Sequence, residues 1–347
     1  MIHLKALDRA KALIGTLEYI NLQWTRRYYT SGEFSVLVPL NKYTLEMEYL
    51  YSPDRPEMGM IQKREITQSV NGELIQLSGF FIEKQLDDKI IHPVFNFYGN
   101  IEDGARQLFD TYKGDIQGVS GTRKGLGSTI QFQETGAELG MRIYELLETQ
   151  ELSYSMRYDY LQNKTVFDVW QGVDRTDTQT INNRVVFSRK LGNARDLKSI
   201  YDDSGYKNYA VIAGEGEGAA RKVVVLDASN GGYKRKLFVD AKDIRQEDLT
   251  AVQYEAALRQ RGAEKLLEYQ IITDFDMEID PHKKGREYIT DWNLGDKCDV
   301  IVSMGEDVEM VYTARITEIE EVVKNNNWEV RITVGNKTPS ILQKARR

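Results

Sequence analysis

The chain has 347 residues, of which 41% are hydrophobic and 29% charged; 46 lysines and arginines against 53 aspartates and glutamates leave a net charge of -7. This is the composition of a folded globular protein long enough for two domains, and it excludes disordered, fibrous and broadly basic nucleic-acid-binding classes. The single cysteine, Cys298, rules out an internal disulfide or a multi-cysteine zinc site, and no apolar run reaches signal-peptide or membrane-span length, so no membrane anchor is expected.

Residues 19–28 set Ile20, Leu22 and Trp24 against Asn21, Gln23 and Thr25, the period of a half-buried strand. Residues 33–40 repeat it through Phe34, Val36, Val38 and Leu40, and Thr30-Ser31-Gly32 between the two runs predicts a hairpin turn. After a loop ending in Pro53-Asp54-Arg55-Pro56, strands are predicted over 59–67 and 73–83, joined at Asn71-Gly72. Apolar residues then fall at helical spacing over 100–112 and 135–147, with the glycine-rich stretch 118–128 between them and strands at 152–160 and 164–170 after them. Further strands are predicted at 185–187, 208–213, 222–226 and 234–239. A longer helix follows, with Thr250 and Gln253 spaced for a capping box. Strands resume at 271–279, 297–302, 308–320 and 328–334, the last two joined by Lys324-Asn325-Asn326-Asn327, and residues 344–347 form a basic tail.

Residues with the makings of chemistry are few. The stretch from Gly121 to Ser128 invites a phosphate-loop reading, but Lys124 precedes Gly125, whereas a phosphate loop needs four residues between its first glycine and a Gly-Lys pair. A flexible loop is expected instead. Gly214-Glu215-Gly216-Glu217-Gly218 would repel a pyrophosphate through its glutamates, which predicts a hairpin tip. Asp87-Asp88 is expected in a solvated turn, His92 in the core or an interface, and Cys298 as a small buried hydrophobe. With only His3, His92 and His282 available, acid–base and metal chemistry are thinly supplied, and neither a cofactor nor a bound metal is expected. Tyr28-Tyr29, Tyr49 and Tyr51 could form a glycan platform, although aromatics gather more often at interfaces. The most distinctive pattern is Asp274-Phe275-Asp276-Met277-Glu278-Ile279-Asp280. Alternation turns Phe275, Met277 and Ile279 inward and Asp274, Asp276, Glu278 and Asp280 to the other face, as a solvated acidic strand or a channel lining.

The ordered blocks resemble one family. Leu22-Gln23-Trp24-Thr25-Arg26-Arg27-Tyr28-Tyr29, then Gly32-Glu33-Phe34 and Val36-Leu37-Val38-Pro39, look like the opening hairpin of the siphovirus tail-hub proteins, minor tail proteins of the distal tip. The blocks at 209–216, 235–244 and 259–266, then Leu294-Gly295-Asp296-Lys297-Cys298-Asp299-Val300 and the closing strand at 328–335, are similar to that family's middle and end. The resemblance implies a fold like the central baseplate hub of contractile-tailed phages: mainly β, with two related small β-barrel domains, inserted α/β modules, and a trimer around a channel. On that basis residues 1–98 are expected to form a first barrel, completed by strands around 173–200. An α/β insert is expected at 99–172, a strand-rich segment with one long helix at 173–270, and a second barrel at 271–347, completed by strands from 195–240.

The expected role is structural and without catalysis: a homotrimeric hub in the virion tail, at the tail tip or baseplate, made in the host bacterial cytoplasm. Its expected partners are the distal tail protein, the tail tube and the tip or receptor-binding proteins of the same particle, with DNA only in passage. The chain stops within a dozen residues of its last predicted strand, so a lytic activity is expected on another polypeptide. The rival readings are a phage-associated cell-wall glycan hydrolase and a host-surface carbohydrate-binding protein. A hydrolase needs two carboxyls facing across a cleft about 5 to 9.5 Å apart, whereas one strand shows its own side by side.

Overall fold

A computed structural model describes residues 2–335 except 71, 248, 283–286, 305–307 and 326. Its principal element is a ten-stranded sheet that draws strands from both ends of the sequence. Four come from the first eighty residues: β1 (Asn21–Arg27), β2 (Glu33–Pro39), β3 (Lys63–Ser69) and β4 (Gly72–Phe80). Six come from beyond residue 185: β5 (Val186–Ser188), β6 (Ala194–Asp202), β7 (Ile272–Ile279), β8 (Lys297–Met304), β9 (Val308–Lys324) and β10 (Asn327–Gly335). In space they run β6-β7-β10-β9-β1-β2-β4-β3, with β8 beside the first half of β9 and β5 beside β8. The 17-residue β9 joins the two groups. Its residues 308–315 pair with β8, and its residues 318–324 lie between β10 and β1. A bulge at Thr317 separates the two stretches, and the extra residue's carbonyl accepts the amide of Tyr28 at 2.9 Å.

The protein is mainly β with an α/β insert, as expected, but the described residues contain no closed barrel. The predicted strand over 59–67 shows why. It is two strands, Met58–Met60 in a small four-stranded sheet with Leu4–Leu7, Leu13–Leu17 and Tyr49–Tyr51, and β3 at the margin of the large one. The first half is therefore a sandwich of two sheets whose facing side chains, among them Leu4, Leu22, Trp24, Val36, Leu50 and Leu77, form one core. The second half rolls partway over its own core, where Phe275, Met277 and Ile279 meet Phe187, Cys298 and Ile319. The cysteine is a buried hydrophobe, and burial holds its thiol well above the usual range.

Two smaller units are attached to this frame. In the insert, α1 (Ile101–Tyr112) starts at Asn100, whose side chain accepts the amide of Glu102, and α2 (Leu139–Glu148) packs beside it. Ile101, Leu108, Phe109, Ile143 and Leu147 on one side, and Tyr154, Phe167 and Val169 of the hairpin Ser153–Asp159 and Lys164–Trp170 on the other, make a third core. The strands Phe95–Asn100 and Thr129–Glu134 pair along the same unit. The fourth core lies under α3 (Ala251–Leu267), whose Tyr254, Ala257 and Leu258 cover Ala210, Ile212 and Val224 of a three-stranded sheet, Tyr209–Ala213 flanked by Val223–Asp227 and Lys236–Asp240. The capping box of Thr250 and Gln253 is present.

Where the two halves of the large sheet meet, charges are buried. Glu321 of β9 is fully buried and accepts Nε of Arg55 at 2.7 Å, the Tyr288 hydroxyl at 3.0 Å and the Trp328 indole at 3.1 Å. Arg26 of β1 donates to Glu57 at 2.7 Å, to the same Tyr288 hydroxyl at 3.1 Å and to Asn293 at 2.8 Å. Trp328 packs against the cores of both halves. Close by, Glu83 enters the short 3-10 helix Ile82–Asp88. Burial pushes its carboxyl up to about 8, the amides of Glu83 and Gly32 oppose the shift, and the charges of Glu57 and Asp87 add to it.

Truncating Glu321→Ala strands Arg55 and Tyr288 without their shared acceptor and should cost about 3–5 kcal/mol in urea denaturation. Glu278→Ala on the open face should cost less than about 1 kcal/mol. For Glu83 the folded state holds the proton more tightly than the unfolded chain. Its stabilising contribution is complete below the ordinary carboxyl value of 4.5 and is lost as pH rises through about 8. Melting curves from pH 5 to pH 9 should therefore fall more steeply for the native protein than for Glu83→Gln.

Candidate functional site

The large sheet has one face in the cores; the opposite face, which carries the acidic strand predicted from the sequence, is open at β6 and much of β7 and closes over Thr333 and Glu318. Register aligns side chains from five strands across it. Lys198 lies opposite Asp276, Asp276 opposite Thr333, Thr333 opposite Glu318, and Glu318 opposite Arg27. One pair further along each strand, Arg195, Glu278, Arg331 and Glu320 follow in the same order. Opposite charges alternate along the second row, the arrangement that stabilises cross-strand neighbours, whereas in the first, two acids flank Thr333 with a cation at each end. Arg27 reaches Glu318 at 2.7 Å and the hydroxyl of Thr333 donates to Asp276 at 2.9 Å. A shallow cleft of about 410 Å³ runs over these residues, with Glu278, Glu320 and Arg331 in its lining. A second hollow, lined by Gln23, Ser35, Lys63 and Ser78, continues the same polar face over the first half of the sheet.

The four carboxylates singled out in the sequence are therefore not equivalent. Asp276 and Glu278 border the cleft. Asp274 is buried, with its Oδ1 where a Cβ on Gly335 would sit, so the glycine is what lets β10 pass over it. Asp280 follows the end of β7 and accepts the amide of His282 at 3.1 Å in a turn. The cations and the two further carboxylates that complete the face, Lys198, Arg331, Glu318 and Glu320, come from strands remote in sequence. A pattern within one strand did not reveal them, although Glu318 and Glu320 alternate around the buried Ile319 as the acidic strand does around Met277.

The glycine-rich stretch is not a phosphate cradle, because its amides are occupied. Lys124 and Leu126 each donate an amide to the Glu102 carboxylate at 2.8 Å, and Ser128 donates to Gln150 at 2.6 Å. Arg106 clamps the carbonyls of Gly121 and Thr122 at 2.7 and 2.8 Å while bonding Glu102. Burial works against the Glu102 charge, but these amides and the Arg106 guanidinium hold its carboxyl below the usual range. Gly125 and Gly127 supply the positive φ angles, 74° and 75°, of this anchored loop. The flexible loop expected from sequence is thus a pinned one. Asp87 lies in the 3-10 helix and pairs with Lys84 at 2.5 Å. His92 is exposed rather than in the core. Tyr51 stacks on Tyr160 with Lys5 over the latter ring, while Tyr28 packs edge-on against Trp170 elsewhere. Those tyrosines do not share one platform. Among the described residues no three histidine, cysteine, aspartate or glutamate side chains converge to hold a metal ion.

Comparison with known proteins gives this arrangement a context. Residues 105–336 match the family model described as Siphovirus ReqiPepy6 Gp37-like protein. Among solved structures, a prophage tail protein from Listeria monocytogenes aligns over 99% of this chain and 98% of its own, at 14% identity and a TM-score of 0.61. A tail protein from Neisseria meningitidis aligns over 96% and 95%, at 12% identity and a TM-score of 0.59. The 43 kDa tail protein of a Shewanella oneidensis prophage aligns over 96% and 97%, at 16% identity and a TM-score of 0.57. A search of curated proteins returned no match.

If Glu102 pins the glycine-rich loop, Glu102→Ala should expose it. Limited trypsin digestion should then cut after Arg123 and Lys124 at least about tenfold faster, the factor expected when two or more buried hydrogen bonds to a charge are lost.

Proposed function

The chain belongs to the Siphovirus ReqiPepy6 Gp37-like family of tail proteins, and on that premise we propose that it is a non-catalytic homotrimeric hub at the tail tip or baseplate, surrounding a channel for DNA. The reading is carried by the fold match to three tail proteins over at least 96% of the chain. The open face of the large sheet supports it further. One polar surface continues across both halves of the frame, with no large apolar side chain along the Lys198-to-Arg27 row. A wall of mixed charge offers DNA phosphates no run of cations to adhere to, and salt confines its field to about 8 Å. In this reading Asp276 and Glu278 face the lumen, Asp274 acts within the sheet, and Asp280 shapes the turn after β7. The neighbours are the distal tail protein, the tube and the tip proteins of the same particle. Catalysis is not invoked: Asp276 and Glu278 look across the cleft to Glu318 and Glu320 with β10 between them, but Arg27 already engages Glu318 at 2.7 Å and the Thr333 hydroxyl engages Asp276 at 2.9 Å, which supports a structural role.

Light scattering on the concentrated protein should give a closed ring of roughly 120 kDa, three copies of the chain. A stable dimer would count against the hub. In assembled particles, Glu278→Lys should leave the ring intact and slow genome ejection, since it would turn Arg195, residue 278 and Arg331 into a row of cations. Unchanged ejection would remove this face from the channel wall.

A further inference from the structure

We propose that the outer face of the three-stranded sheet under α3 receives the ribbon of β8 and β9 from a neighbouring copy of this chain. The proposal rests on the ring reading and names the two surfaces that join its copies. A sheet covered on one side ordinarily alternates apolar and polar residues, with the polar set outside. Here Ala210, Ile212, Val224 and Val239 turn to the core beneath α3, and the residues between them are apolar as well. Val211 lies opposite Val225 on one side and Phe238 on the other, with Val223 next along beside Ala213. Val223 is 50% exposed and Phe238 63%. The pairs Lys234–Asp227 and Arg221–Asp240 border this stripe. An apolar centre with a rim of paired charges is the make-up of an interface.

A second apolar element of the same chain indicates the occupant. β5 leaves β8 at Ile301, and β10 meets β9 only from Arg315 onward. Among the described residues, 302–304 and 308–311 therefore pair with each other alone. A two-stranded ribbon is marginal in water by itself. This one is also apolar: Val302, Met310 and Val308 share one face, and Ile301 and Val311 share the other. Val308 and Val311 are more than half exposed. At its base Val302 packs on the core of the second half, so Met310 and Val308 carry an apolar face outward from the frame.

The two surfaces match in size and charge. Four residue pairs of ribbon extend about 13 Å, and the five-residue strands of the sheet about 17 Å, over a width of about 10 Å. Stacked face to face, the ribbon covers the stripe from Val223 to Phe238. Glu309 is the one charged side chain among the described ribbon residues, in an exposed pair with Lys190 at 2.6 Å, and such pairs exchange at little cost. On the sheet, Lys236 lies 5.6 Å from the centre of the Tyr209 ring and pairs with no carboxylate among the described residues. Copies joined head to tail in a closed ring each need two different surfaces that fit one another. The sheet face and the ribbon belong to different units of the chain and supply one each.

Two variants of the full chain test this by light scattering: Phe238→Glu on the sheet face, and Val308→Glu with Met310→Glu on the ribbon. Each alone should be a single chain where the native protein forms rings. Mixed in equal parts they should form two-chain particles, because the first still offers its ribbon, the second still offers its sheet face, and one sound joint does not close a ring. Rings from either variant alone would overturn the pairing, leave the ring reading standing and give the face to a different tail protein. A native protein that forms no ring would remove both readings. A second measurement does not depend on these variants folding. Phe238→Cys and Val308→Cys proteins, mixed with a short bismaleimide, should link to each other about tenfold more than either links to itself, since docking raises the local concentration of one thiol at the other. Cys298 is buried and does not compete. Equal yields of mixed and like links would overturn the proposal.

Discussion

A charge placed on the core side of a strand dictates much of this architecture. Glu321 sits where the two halves of the large sheet share β9, out of reach of solvent, and a carboxylate there must be fully matched by donors. The match comes from three separate segments, the loop bearing Arg55, the loop bearing Tyr288 and the start of β10 with Trp328. Arg26, one strand away, ties the same hydroxyl to Glu57 and Asn293. Buried ion networks contribute little net stability compared with well-packed apolar groups, and their better-attested use is to specify one arrangement among several. A slip of one residue between β1 and β9 would turn Arg26 to the open face and leave Glu321 opposite a different partner.

The smaller units are held to the frame by apolar and ionic contacts together. The insert's core takes in Leu7 and Met58 of the frame, with Tyr49 and Tyr51 packed on it, and directional polar contacts add to this joint and make others. Arg142 of α2 bridges Glu134 of the insert and Glu264 of α3. Glu151 after α2 receives Lys297 and Arg315 from the frame. Gln133 exchanges hydrogen bonds with the backbone of Arg245. Directional contacts of this kind fix the orientation in which the units pack.

Strands with a clean two-residue period were legible in the sequence. β1, β2, β7 and the hairpin of β9 and β10 begin and end close to where alternation placed them, since each has one buried and one open face. The cap of α3 was legible for the same local reason. Leu4–Leu7 and Leu13–Leu17 were not, because lysines and glycines interrupt runs too short to show a period. β6 was missed as well: Arg195, Asp196 and Lys198 leave it with no apolar face of its own, and it is a strand only because β7 offers an edge. The candidate site was half visible. Asp276 and Glu278 announced a polar face, but the cations that balance them are neighbours by register, which a single sequence does not encode locally.

The pairing of β9 with β1 also imposes an order on synthesis. Asn21–Arg27 leaves the ribosome about three hundred residues before its partner, so the first sandwich must wait with one edge of β1 unsatisfied until residue 324 has emerged. The insert, whose hairpin and helices contact one another over short separations, is able to fold in the interval. β9 and β10, translated after them, then close the frame around elements already formed, so a chain released before residue 324 would display an open sheet edge rather than a smaller finished protein.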